Sequence, residues 1–161
     1  MPESHVPSNA EAAPEARVRR RAWRGHPAIV PAVIASGGAL GALARHGLSV
    51  AFPHTPDEMP WATLSINASG CLLIGVVMVL FTEAWPDQRL LRPFVGVGVL
   101  GGYTTFSTYT VDIRHAIAAN APGTALVYLG LTIAGAMLAV VAGSVLTRAL
   151  LRPALGNRRR S

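Results

Sequence analysis

The sequence predicts an all-α membrane protein with four transmembrane helices, the third of which is broken. Composition is the first observation: of 161 residues, 51% are hydrophobic and only 14% are charged, whereas a soluble domain averages about 25% charged residues. The second is a set of four apolar segments, each near the length of about 20 residues that a helix needs to cross a bilayer. The third is a run of glycine and hydroxyl residues at positions 101–108, inside the third segment.

Apolar and polar stretches divide the chain into three parts. Residues 1–27 form an Arg-rich N-terminal tail with few large apolar residues, so we expect it to be disordered. Residues 28–147 form the transmembrane domain, with segments at about 28–52, 61–81, 94–111 and 124–146. Residues 148–161 form a basic C-terminal tail. The Arg-rich start followed by an apolar run is also typical of a cleaved secretory signal, and this alternative stays open.

The placement of charge predicts the topology. All 14 basic residues are arginines, and with four spans 12 of them fall on the side that holds both tails and the second connection. By the positive-inside rule this side is cytoplasmic. The 12 are Arg17, Arg19, Arg20, Arg21, Arg24, Arg89, Arg92, Arg148, Arg152, Arg158, Arg159 and Arg160. Because they lie at chain ends and between apolar runs, the pI of about 11.0 does not indicate nucleic-acid binding.

Small residues predict where helices pack. Gly37 and Gly41 are four apart in the first segment, and Gly135, Ala139 and Gly143 are four apart in the fourth. In lipid such spacing marks faces where two helix backbones approach closely. The single cysteine, Cys71, excludes an intrachain disulfide and a CxxC redox site, and we interpret it as a small packing residue.

Polar residues inside the second and fourth segments are candidates for function. Thr63 and Asn67 share one helical face, and an asparagine amide in hydrocarbon has to bond to protein or face a water-filled path. Both interpretations of Asn67 stay open: a hydrogen bond between helices, or a donor that lines a pore. Tyr128 and Thr132 share a face of the fourth segment. No Asp, Glu or Lys lies inside a predicted span, which argues against a proton-coupled transporter.

The third segment carries the strongest indication. Gly101-Gly102-Tyr103-Thr104-Thr105-Phe106-Ser107-Thr108 combines two glycines with β-branched threonines, which are poor helix formers, so we expect a break. Non-helical backbone at membrane depth persists only where it is buried in protein or lines an aqueous cavity. The freed carbonyls would suit a small, hard cation such as Na⁺. The alternative is a kink whose polar groups are satisfied by its own hydroxyls.

Three motifs together resemble the CrcB/Fluc family of fluoride channels. They are Gly37-Gly38-Ala39-Leu40-Gly41 followed by Arg45, Thr63-x-x-x-Asn67-x-x-Gly70, and the run from Gly101 to Thr108. The resemblance covers about residues 29–146. It implies a passive channel rather than an enzyme, through which fluoride leaves the cell across the plasma membrane, and which confers fluoride resistance. It also implies an antiparallel dimer with two pores and no organic cofactor.

The resemblance also implies site residues. The backbone carbonyls of Gly101 and Thr104 would hold a structural Na⁺ at the dimer centre. Arg45 would lie at the aqueous vestibule of the pore. The pore itself would be lined by Asn67, Phe106, Ser107, Thr108, Tyr109, Tyr128 and Thr132. Hydroxyls, an amide and the positive edge of a ring can replace the water around fluoride without holding it as a fixed charge would.

Two features depart from the family pattern. Tyr109 stands where the family has a second pore phenylalanine, so its added hydroxyl puts half of the aromatic lining in question. The arginine bias is stronger than expected for a chain that inserts in both orientations, which predicts pairing with an oppositely oriented homologue as well as, or instead of, with itself. Two other functions stay open: a non-conducting partner subunit, and a small multidrug-type transporter, which would need an acidic residue in the first span.

Overall fold

A computed structural model describes the chain from Ala28 to Arg158, with side chains as far as Arg152. Within this range the chain is helical and has no strand. The predicted disordered tail at 1–27 lies outside it. The helices are α1 Ile29–Ala51, α2 Trp61–Val79, α3 Leu100–Tyr103, α4 Ser107–Ala118 and α5 Pro122–Arg158. A π-helical segment at Leu80–Ala84 continues α2, and another at Pro93–Val99 leads into α3.

Three helical stretches in the described range are long and apolar enough to cross a membrane: Ile29–Ala51, Trp61–Ala84 and Pro122–Arg152. They correspond to the first, second and fourth predicted segments. The third predicted segment is not one helix, because α3 ends at Tyr103 and α4 begins at Ser107. Thr104 there adopts an extended conformation with ψ of 154°. The interruption at 104–106 falls inside the predicted run 101–108.

Two boundaries differ from those that hydropathy predicts. α4 does not end at Val111 but continues to Ala118, so Asp112, expected in a connection, lies within a helix. Hydropathy misplaces this boundary because one carboxylate interrupts the apolar run, although the helix continues past it. α5 likewise continues beyond 147, where the sequence predicts the C-terminal tail to begin, as far as Arg158.

Glycines allow α1 to pack backbone-to-backbone on the segment before the break. A Cβ at Gly37 would lie 3.1 Å from the Gly98 Cα, and one at Gly41 would lie 2.8 Å from the Tyr103 nitrogen. Gly98 in turn places its own Cα against Gly37. The predicted contact face at Gly37 and Gly41 is thus confirmed, and its partner is Pro93–Tyr103.

A second close contact joins α2 to α5. A Cβ at Gly75 would collide with the backbone of Val140, and one at Gly143 with the backbone of Leu72. The prediction of a contact face on the fourth segment is therefore correct at Gly143. At Gly135 a Cβ would meet nothing within 4 Å, so that part of the face is open among the described residues.

The connections gather at two ends of the bundle. At one end His54 Nε2 lies 3.8 Å from Asp112 Oδ1, and the Thr124 hydroxyl donates to the Asp57 carbonyl at 3.4 Å. At the other end Arg148 Nε donates to Glu83 Oε1 at 2.8 Å. Successive connections therefore lie at alternate ends, and the break lies between them.

Candidate functional site: a cleft at the helix break

The backbone of the break is held by Asn67 of α2. Asn67 Nδ2 donates to the Thr105 carbonyl at 2.9 Å, and the Thr105 N–H donates to Asn67 Oδ1 at 2.9 Å. Asn67 is only 7% exposed. The carboxamide thus replaces the two helical hydrogen bonds that Thr105 loses by leaving the helix, and one amide hydrogen of Asn67 remains for another acceptor.

Hydroxyl groups at the break bond to the first turn of α4. Thr105 Oγ1 accepts the Thr108 N–H at 3.1 Å and also lies 3.1 Å from the Thr108 hydroxyl and 3.2 Å from that of Ser107. This is capping geometry, and it fixes the N-terminus of α4 inside the bundle. Among the described residues, no acceptor pairs with the N–H groups of Phe106 and Ser107. The positive end of the helix dipole therefore points into the break with free donors.

A cleft of about 260 Å³ opens beside the break. One wall comes from the break and α4, and the other two come from α2 and α5. Its lining residues are Asn67, Cys71, Thr104, Thr105, Phe106, Tyr109, Thr132, Ile133 and Ala136. Most of this lining is apolar, the polar groups come from Asn67 and the threonines, and no acidic side chain is among the lining residues.

Thr132 brings an unsatisfied hydroxyl to this cleft. Its side chain is 7% exposed, and Oγ1 is buried without a hydrogen-bond partner among the described residues. A buried hydroxyl without a partner costs free energy. Thr132 also lines the cleft, so this unpaired hydroxyl lies in the cleft wall.

Three aromatic rings run from the cleft into the bundle. The centroids of Phe106 and Tyr109 are 5.7 Å apart with their planes tilted by 49°, and those of Tyr109 and Tyr128 are 5.2 Å apart. Phe106 is 79% exposed, while Tyr109 and Tyr128 are buried. The Tyr109 hydroxyl donates to the Leu129 carbonyl at 3.2 Å. The hydroxyl that departs from the family pattern is therefore bonded to the backbone of α5.

The predicted cation ligands and Arg45 lie at the end of α3. Among the described residues, nothing donates to the carbonyl oxygens of Gly101 and Thr104. The neighbouring Gly102 carbonyl accepts a hydrogen bond from Arg45 Nε at 3.3 Å. Two uncharged carbonyl oxygens without donors fit the ligand chemistry of Na⁺. Arg45 bonds to the carbonyl of Gly102 and to neither of these two.

A polar cluster that the sequence analysis missed surrounds Asp112. Asp112 Oδ2 accepts from the Thr63 hydroxyl at 2.9 Å and from the Tyr128 hydroxyl at 3.4 Å, and His54 approaches Oδ1. Only 9% of the Asp112 side chain is exposed. The Tyr128 hydroxyl, predicted to line the pore, thus faces Asp112.

The structure brings four of the predicted pore residues to one cleft: Asn67, Phe106, Tyr109 and Thr132. Ser107 and Thr108 lie beside it in the capping network, whereas Arg45 and Tyr128 do not line it. Sequence reasoning missed Thr105 and Cys71 as lining residues. The spacing of Cys71, four after Asn67 and so on the same helical face, was the signal that could have found it.

Fold and site together define a small helical membrane protein with several spans and a cleft that brings a few hydrogen-bonding groups to a broken helix. The chain belongs to the CrcB family, because residues 32–144, more than half of it, match the family model described as "CrcB-like protein, Camphor Resistance (CrcB)". The resemblance seen in the sequence is thereby confirmed.

Curated relatives cover most of the chain. It is 52% identical over 134 residues to "Fluoride-specific ion channel FluC 2" of Nocardia farcinica, covering 83% of this chain and 92% of that one. It is 50% identical over 115 residues to "Fluoride-specific ion channel FluC 2" of Streptomyces avermitilis, covering 71% and 72%. Over 122 residues it is 50% identical to the protein of the same name from Thermobifida fusca, covering 76% and 90%.

Proposed function

We propose that this protein is a fluoride-selective channel that lets cytoplasmic fluoride leave passively across the plasma membrane, and so reduces fluoride toxicity. The names of its relatives support this function. The observation that carries it is the cleft at the helix break, whose lining offers hydrogen-bond donors and no acidic group.

The chemistry of the cleft suits fluoride. Fluoride is small and strongly hydrated, so a narrow path must replace its water with donors. The unpaired Thr132 hydroxyl, the remaining amide hydrogen of Asn67 and the edge of the Phe106 ring are such donors. The N-terminus of α4 adds a favourable potential for an anion.

We infer that the broken segment is a fourth crossing and that two subunits pair in antiparallel orientation. Pro93–Tyr103 packs on α1, whereas Asp112 of α4 reaches His54 at the opposite end of the bundle. Phe106 is 79% exposed at the mouth of the cleft. The hydrogen-bonding groups of the cleft would be costly against lipid, which favours a second subunit that covers the cleft and this ring.

The same pairing would create a sodium site. The carbonyls of Gly101 and Thr104 provide two oxygens per subunit, and an ion on the two-fold axis would receive four. Gly101 has open space on its outer side, since a Cβ there would meet nothing within 4 Å. Replacing Na⁺ by N-methylglucamine should then lower the thermal stability of the dimer. Equal stability in both cations would argue against the site.

Tail orientation and partner choice are further proposals. The ion pair between Arg148 and Glu83 supports a common end for the second connection and the end of α5, and the arginine bias favours the cytoplasm for that end. A chain so biased would need an oppositely inserted homologue as partner. One relative's organism, Streptomyces avermitilis, carries proteins named FluC 2 and FluC 3.

Fluoride efflux from liposomes tests the function, with this protein reconstituted alone and together with a paralogue. Efflux with the paralogue only would support the heterodimer. Fluoride efflux from a homodimer whose subunits place their tails on both sides of the membrane would contradict the heterodimer. Folded protein without efflux in either case would contradict the channel itself and leave the non-conducting partner. The multidrug-type alternative loses support, since α1 contains no acidic residue.

A further inference from the structure

Cys71 occupies a position in the cleft that its role as a packing residue does not explain. It lies one helical turn after Asn67, and both residues line the cleft. Its side chain is half-buried, and it is the only cysteine in the chain.

The wall of the cleft that α5 forms extends over one helical turn, as the wall that α2 forms does. Thr132 and Ala136 of α5 are also one turn apart, and both line the cleft. The cleft thus extends along α2 and α5 by one turn beyond the break. Its end near Asn67 and Thr132 carries amide and hydroxyl groups, while its far end is formed by Cys71, Ile133 and Ala136. The thiol is the one polar group among the three residues of that end.

The cleft closes directly after Cys71. Leu72 contacts Gly143, and Gly75 contacts Val140, in both cases through backbone that leaves no room even for a methyl group. An ion that entered at the break could not continue straight between α2 and α5. It would have to turn aside next to Cys71, so a group attached to that sulfur would occupy the place where the path turns.

A second observation indicates that the cleft takes a ligand. The Thr132 hydroxyl is more than nine-tenths buried, has no partner among the described residues and lines the same cleft. A satisfied packing core would not leave it unpaired.

We propose that Cys71 lines the anion path one turn beyond Asn67, and that a covalent adduct on its sulfur closes that path. The inference rests on the proposed channel function. It makes Cys71 a pore residue and the natural thiol modification site of this protein.

The test uses the full-length protein in liposomes and methyl methanethiosulfonate. The Cys71 thiolate attacks the reagent's divalent sulfur, a methyl disulfide forms on Cys71, and methanesulfinate leaves with the bonding electrons, while the thiol proton goes to the buffer. Because the chain has one cysteine, mass spectrometry of the unfolded product reports the extent of reaction at this site. We expect fluoride efflux to fall to the rate of protein-free liposomes as the adduct forms. We also expect fluoride, but not chloride, to slow the reaction.

Two variants control for the reagent and for position. The efflux of Cys71→Ser, whatever its basal rate, should not respond to the reagent. Gln88 lies in the connection that follows α2 and is exposed. Gln88→Cys in the Cys71→Ser background should react fully and keep the efflux of its parent.

The outcomes separate the two claims. If unmodified protein carries fluoride and the complete adduct does not reduce efflux, Cys71 is not in the path and only this inference fails. Failure of folded protein to react at all would also overturn it, because the thiol would not face an accessible cleft. If the unmodified protein carries no fluoride, the proposed function fails and this inference with it.

Discussion

Asn67 and Thr105 are joined by two hydrogen bonds of 2.9 Å, one in each direction between a side-chain amide and a peptide group. Asn67 of the continuous helix α2 therefore supplies the two hydrogen bonds that Thr105, at the centre of the break, would make inside a helix. This pairing gives Asn67 the bonding role that was one of its two interpretations, and the other, a donor that lines a pore, stays a prediction. It joins two helices, and it does so at the wall of the cleft.

Removing the carboxamide should loosen the break. Asn67→Ala leaves the Thr105 N–H and carbonyl without partners, at a cost of about 1–3 kcal/mol for each buried group. We expect a lower melting temperature in detergent and a large loss of fluoride efflux. Ser69→Ala is the matched control on the same helix, because Ser69 bonds to Tyr103 outside the cleft. Equal melting temperatures for the two variants would contradict the role of Asn67.

Phe106 should matter for conduction and not for folding of the subunit. Its side chain is 79% exposed, so Phe106→Ile creates no internal cavity and should change subunit stability by less than about 0.5 kcal/mol. Loss of the ring edge should abolish fluoride efflux, while the dimer still elutes at its normal size because isoleucine keeps an apolar surface for the second subunit to cover. Loss of assembly instead would make Phe106 an interface residue only.

A subunit with Tyr109 should conduct fluoride as well as one with the family's phenylalanine at this position. Its hydroxyl donates to the Leu129 carbonyl, away from the cleft, so Tyr109→Phe keeps the ring and loses one hydrogen bond worth about 1 kcal/mol. We expect a slightly lower melting temperature and an unchanged ratio of fluoride to chloride efflux. If Tyr109→Phe conducts fluoride and the natural chain does not, the natural chain is a non-conducting subunit.

Two glycines of α1 should respond to alanine with opposite signs. A Cβ at Gly41 would meet the backbone of Val99 and Tyr103, whereas one at Gly47 would meet nothing within 4 Å. Gly41→Ala should destabilise the fold by about 1–3 kcal/mol because no side-chain rotation relieves the contact. Gly47→Ala should stabilise it by about 0.5–1 kcal/mol through helix propensity. Thermal unfolding of both variants measures this difference, and equal shifts would mean that α1 does not pack as described.

Local chemistry made the break predictable. Gly101, Gly102 and two threonines are poor helix formers, and the interruption at 104–106 begins directly after the short helix that contains the two glycines. Asn67 was identifiable because a buried amide always needs a partner, although its partner Thr105 lies 38 positions away and no short-range pattern names it. The glycine spacing of α1 predicted a contact face for the same local reason.

Features that depend on contacts between helices distant in sequence were not predictable. Hydropathy placed Asp112 in a loop, because the groups that face its carboxylate, Thr63, Tyr128 and His54, all come from distant parts of the chain. Gly135 has the spacing of a packing residue, yet nothing in the described chain approaches it. Cys71 was interpreted as packing because its place in the cleft wall, with Ile133 and Ala136 of α5, exists only after α2 and α5 are brought together.

The most direct test of the cleft as a fluoride path compares initial fluoride and chloride efflux from liposomes containing the natural protein or Asn67→Asp. Aspartate still accepts the Thr105 N–H, but it loses the hydrogen bond to the Thr105 carbonyl and places a negative charge in the wall of the cleft. We predict fluoride-selective efflux for the natural protein and loss of it for a variant that remains folded and assembled. Unchanged fluoride efflux from Asn67→Asp would contradict a path along this wall.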